Sequence, residues 1–85
     1  MTERNSELEN QINVAAFFLA QQRPTYDQLC WMLAYRRLRA EKDARYSQEE
    51  RIKEKAAEIY FQSTPYDILC WLVAELDIFI KLGKI

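Results

Sequence analysis

The stretch Tyr26-Asp27-Gln28-Leu29-Cys30-Trp31-Met32-Leu33-Ala34 returns forty residues later as Tyr66-Asp67-Ile68-Leu69-Cys70-Trp71-Leu72-Val73-Ala74, so both cysteines and both tryptophans of the chain fall at matching places. The same offset pairs Ile12 with Ile52, Ala16 with Ala56, Leu19 with Ile59, Gln22 with Gln62 and Leu38 with Ile78. The chain is one unit written twice. A lone helical hairpin leaves its apolar face in water, so two copies closing one core about a pseudo-two-fold axis is the economical solution.

Composition narrows the class of unit. One Gly and two Pro leave little for hairpin turns, which excludes a strand-rich fold with many reversals. With 49% apolar and 29% charged residues the chain is too hydrophobic for disorder, and its uncharged runs are too short for a membrane span. At 85 residues it is a single domain. The expected fold is all-α: a four-helix domain of two tandem helical hairpins, repeat one over 7–44 and repeat two over 48–82, with pseudo-two-fold symmetry.

Helix starts are read from caps. Ser6-Glu7-Leu8-Glu9, Thr25-Tyr26-Asp27-Gln28 and Ser47-Gln48-Glu49-Glu50 fit the capping box. In Thr64-Pro65-Tyr66-Asp67, Thr64 is the expected cap, with Pro65 at the first helical position. The helices are placed at about 7–22, 26–44, 48–62 and 65–82, and the short links after the first and third predict antiparallel neighbours.

Helical spacing then assigns the core. Tyr26, Leu29, Cys30 and Leu33 form one stripe, and Leu69, Leu72, Val73, Leu76 and Ile80 its counterpart. The first helix adds Leu8, Ile12, Ala15, Ala16 and Leu19, and the third Ile52, Ala56, Ile59 and Tyr60. A second apolar stripe runs through Trp71, Ala74, Ile78 and Leu82, matched by Trp31, Ala34 and Leu38. It either closes the core from inside or meets a partner. In the partner reading Trp31, Leu38, Trp71, Ile78, Phe79 and Leu82 are the contact residues, most simply in a homodimer burying the last four.

Arg36, Arg37, Arg39, Lys42 and Arg45 cluster where the second helix ends, and Arg51, Lys53 and Lys55 open the third. Such a patch suits phosphates, but Glu49, Glu50 and Glu54 are interleaved with it and the net charge is −1, the pattern of a solvated face. Asp27 and Asp67 sit in first helical turns, where a carboxylate caps free amides, and Tyr26 and Tyr66 read as aromatics with a polar tip at the surface. The chain has no His, so metal sites and His-based acid–base catalysis lose their commonest component, and neither Cys has a base beside it. Cys30 and Cys70 read as reduced, buried thiols, as cysteines of a cytoplasmic chain usually are; the alternative is a disulfide across the pseudo-axis, which needs alpha carbons within about 7 Å. The polar, acidic start Met1-Thr2-Glu3-Arg4 lacks the features of a secretory signal, which predicts a cytoplasmic chain.

Ile52-x-x-x-Ala56-x-Glu58-Ile59-Tyr60 followed by Trp71-Leu72-x-Ala74-Glu75-x-x-Ile78 resembles a short bacterial helical domain of unknown function with a Trp-Leu-x-Ala-Glu signature. The first repeat departs from it, with Tyr35 in place of the Glu. The resemblance implies a helical hairpin, a bacterial or phage-like source and no activity. The expected function is a non-enzymatic interaction module, an adaptor, regulator or inhibitor, with no cofactor or metal. The second reading is a nucleic-acid-binding regulator using the five basic residues from Arg36 to Arg45.

Overall fold

The computed structural model describes the backbone of residues 2–84 and the side chains of residues 7–84. Four helices account for most of it: α1 (Thr2–Gln21), α2 (Tyr26–Ala40), α3 (Glu49–Phe61) and α4 (Tyr66–Lys81). The all-α four-helix architecture is the one the repeat implies.

Among the described side chains, only one of the expected caps forms as a side-chain cap. Thr25 Oγ1 accepts the Gln28 N–H at 3.0 Å, and Gln28 Oε1 accepts the Thr25 N–H at 2.8 Å, a complete capping box. Helix α1 begins at Thr2, so Ser6 lies within the helix rather than at its start, and its side chain is outside the described residues. The N-cap of α3 is Gln48, not Ser47, with no side-chain hydrogen bond. That of α4 is Pro65, not Thr64, also without one. At α4 the proline supplies the extended entry itself (φ −58°, ψ 152°), so the threonine is not needed for the turn. Thr25→Ala is accordingly expected to cost about 1 kcal/mol in urea unfolding, and Thr64→Ala to change little; equal losses would contradict this asymmetry.

The repeat shows in the backbone at the other helix ends. Arg23 and Ser63, forty residues apart, are both left-handed (φ 54° and 57°), as are Lys42 and Gly83 after α2 and α4. The latter two close Schellman turns, in which Asp43 N–H bonds Leu38 carbonyl at 3.0 Å and Lys84 N–H bonds Phe79 carbonyl at 2.9 Å.

Helix pairing differs from expectation. Helix α1 packs on α4, α3 on α2, and α2 on α4, whereas α1 with α2 and α3 with α4, the two expected hairpins, do not pack together. Each elbow combines a left-handed residue with a proline, Arg23-Pro24 and Ser63-Thr64-Pro65, which swings the next helix away. The chain-adjacent antiparallel pair is α2–α3, where Glu41 meets Lys55 and Asp43 meets Arg51, both at 3.1 Å. Its pseudo-symmetric mate is α4–α1, antiparallel because Tyr66 lies by Pro24 while Trp71 lies by Asn13. Helices α2 and α4 run side by side in the same direction through the centre, with Tyr26 by Thr64 at one end and Arg36 by Asp77 towards the other.

Two tyrosines lock the elbows reciprocally. The Tyr26 hydroxyl donates to the Thr64 carbonyl and the Tyr66 hydroxyl to the Pro24 carbonyl, so each unit caps the linker of the other at equivalent positions. Tyr66 is exposed, as expected, while Tyr26 is partly buried, and both hydroxyls carry a structural role that the expectation lacked. Between the central helices, Leu29, Leu33, Leu38 and Leu69 are wholly or almost wholly buried, joined by Val73, Ile52 and Ile59 from the expected stripes. Tyr60, assigned to the core, is instead 49% exposed and stacks edge-on against Tyr26. Cys30 and Cys70 are free and buried. Burial, then the nearby Asp27 or Asp67, pushes each thiol pKa up, which keeps thiolate scarce.

Candidate interaction surface

The tryptophan stripes do not form a continuous exposed face. Leu38, assigned to a partner, is completely buried at the end of the α2 stripe and belongs to the core. Trp31, Trp71, Ile78 and Phe79 are half-buried, and Leu82, at the C-cap of α4, is 52% exposed. The outer helices account for this. With α1 lying along α4, the Trp71 indole Nε1–H donates to Asn13 Oδ1 at 2.9 Å. On the other unit Trp31 packs against the core and lines a groove of about 390 Å³ with Leu19, Pro24 and Met32.

The basic cluster is partly answered by carboxylates, from α4 and from its own link to α3. Arg36 donates through Nη1 to the Met32 carbonyl at 3.1 Å, and its Nε lies 3.6 Å from Asp77. Arg37 lines a cavity of about 230 Å³ between α2 and α4 with Glu75, Leu33 and Leu72. Desolvation there raises the Glu75 pKa, and Arg37 partly offsets it. Arg45 pairs with Asp43 at 3.4 Å, and the Arg39 guanidinium sits 5.8 Å from the centre of the Tyr46 ring. Lys42 is exposed in its left-handed turn. Three of the five cations thus lie beside Asp77, Glu75 or Asp43, while Arg39 and Lys42 stand exposed.

Asp43 organises this corner. The Arg45 backbone N–H, at 2.8 Å, and the Arg51 side chain, at 3.1 Å, hold its carboxyl below the usual carboxylate range. Because the folded-state pKa is depressed, the stabilisation is fully present above the unfolded value of about 3.9 and is lost as pH falls through the folded value. Asp43→Asn should therefore lower stability at neutral pH and flatten its decline between about pH 4 and the acid limit. An unchanged acid limb in denaturation midpoints would contradict the assignment.

The feature missed from spacing alone lies on α1. Its inner side, Ile12 with Leu8, Ala15, Ala16 and Leu19, faces the protein. On the opposite side Val14, Phe17 and Phe18 are 55%, 58% and 59% exposed, at the i, i+3, i+4 spacing that makes one surface. The two phenyl rings meet edge to face at 5.7 Å. The repeat carried a signal for this. At the matching positions α3 has Glu54, Ala57 and Glu58, so aligning the two units isolates an apolar substitution on the outer face of one. A smaller aromatic group, Tyr60 and the highly exposed Phe61, sits at the far end of α3.

Among the described residues there is no cluster of three or more His, Cys, Asp or Glu side chains that could hold a metal ion, and no helix long and apolar enough to cross a membrane. No protein-family model, curated protein or solved structure matches the chain.

Proposed function

We propose that this chain is a small non-enzymatic protein–protein interaction module whose docking surface is the outward face of α1. The observation that carries the reading is the joint exposure of Val14, Phe17 and Phe18 on one helical face. Scattered exposed apolar side chains are ordinary, whereas adjacent aromatics on one surface are what partners use as anchors. The half-buried Trp31 and Trp71 take a supporting place, Trp31 against the core and Trp71 bonded to Asn13 of α1, with Leu82 at the margin. The lack of His and the buried state of both thiols support a non-catalytic role.

The test is affinity capture with the wild-type chain and with the variant Val14→Glu/Phe17→Ala/Phe18→Glu, after nuclease treatment and a moderate-salt wash. A stoichiometric protein retained by the first and lost by the second supports the reading. Partners that vanish with nuclease or salt in both would instead favour nucleic-acid binding through Arg39 and Lys42. Equal capture by the two chains would remove α1 from the docking surface.

A further inference from the structure

We infer that the outward face of α1 pairs with the same face of a second copy of this chain, the two helices antiparallel about a two-fold axis. This inference rests on reading that face as a docking surface, and names its occupant. The molecule carries an internal control. In the equivalent position α3 presents Glu54, Ala57 and Glu58, with Glu54 paired to Arg51 at 3.3 Å and Glu58 to Lys55 at 3.9 Å. An outer helix of this fold thus packs on one side and stands in water on the other with a charged surface. Intramolecular packing does not require Val14, Phe17 and Phe18 at those positions on α1.

The chemistry of the face selects its partner. From Asn10 through Gln21 the helix carries no charged side chain, nor does Gln22 after it, in a chain that is 29% charged. A partner offering charged groups would have to desolvate them here with no counter-charge to meet. An uncharged apolar face loses nothing, and this stretch of α1 in a second copy is one, the exposed Glu7 and Glu9 lying more than a turn before Val14. Its flanking residues Asn10, Gln11, Gln21 and Gln22 are amides, each with donor and acceptor, so a two-fold copy satisfies them reciprocally. Antiparallel pairing also sets the helix dipoles in opposition. The phenyl rings, Val14 and these amides together bury roughly 1,000 Å² over both copies, below the roughly 1,200 Å² of stable complexes and in the range of weak, reversible ones. Association is expected to depend on concentration, in the micromolar range.

Sedimentation velocity and light scattering of the purified full chain, from low micromolar to near-millimolar concentration, test this. The wild type should shift from monomer to dimer. Val14→Glu/Phe17→Ala/Phe18→Glu, which copies the α3 residues onto α1, should raise the dimer Kd by about 100-fold or more with helicity and thermal midpoint retained. Phe18→Ser serves as a milder variant should the triple one fold poorly. A wild type that stays monomeric at near-millimolar concentration overturns the self-pairing, and a dimer that survives the triple substitution overturns it equally. Loss of protein capture by the same variant, with a monomeric wild type, would leave the docking surface standing with a different occupant. The two proposals thus fail separately.

Discussion

Leu29→Ala is expected to destabilise the domain by about 3 kcal/mol, and Leu69→Ala by a similar amount. Both side chains are completely buried, at matching positions of the two central helices. Truncation there removes the transfer energy of the side chain and leaves a cavity that α2 and α4 cannot close without shifting the helices packed outside them. For a domain of this size, whose total stability is on the order of 5–10 kcal/mol, either change removes a large share, and the double variant, losing about 6 kcal/mol, should be at best marginally folded. Urea denaturation followed by tryptophan fluorescence gives the comparison. Phe61→Ala, at a residue 82% exposed, is the control and should stay within about 0.5 kcal/mol of wild type. A loss below about 1 kcal/mol at Leu29 would mean that α2 and α4 are not the centre of the fold.

Trp71→Ala should cost about 2–4 kcal/mol, below the loss for a wholly buried Trp because the ring is only half-buried. The indole joins α4 to α1 in two ways, by area and by the hydrogen bond to Asn13 Oδ1 at 2.9 Å. Substitutions separate them. Trp71→Phe keeps most of the area and should lose about 1 kcal/mol, and Asn13→Ala should lose no more than that, since the amide is exposed and water replaces its partner. Association measured beside stability makes this a decision between core and interface. If Trp71→Ala leaves the denaturation midpoint in place while dimerisation disappears, the ring belongs to the docking surface, and α4 shares with α1 the role of contacting the partner.

Much of the fold was legible in the residues because it rests on local rules. The offset of forty residues, the 3.6-residue spacing of Leu29, Cys30 and Leu33 and of Leu69, Cys70 and Val73, and the Thr25 capping box all act within one or two turns of helix. What spacing does not give is set by distant elements. Arg36 and Asp77 approach each other across the central helices and Arg51 reaches Asp43 across a turn, so part of the basic cluster meets carboxylates that its own helix does not supply. The Tyr26 and Tyr66 hydroxyls bond the linkers of the opposite unit, a role that neither unit contains by itself.

The outward face of α1 falls between these cases. Its residues were readable by aligning the repeats, but their exposure follows only from which side of α1 meets α4. Sequence periodicity determined that this protein is four amphipathic helices in two like units, and which side of each central helix is apolar. It did not determine which helix covers which, because apolar burial is non-directional and any of the four faces satisfies any other. The elbows at Arg23-Pro24 and Ser63-Thr64-Pro65 made that choice in three dimensions, turning each unit's first helix onto the second helix of its counterpart and leaving Val14, Phe17 and Phe18 in water.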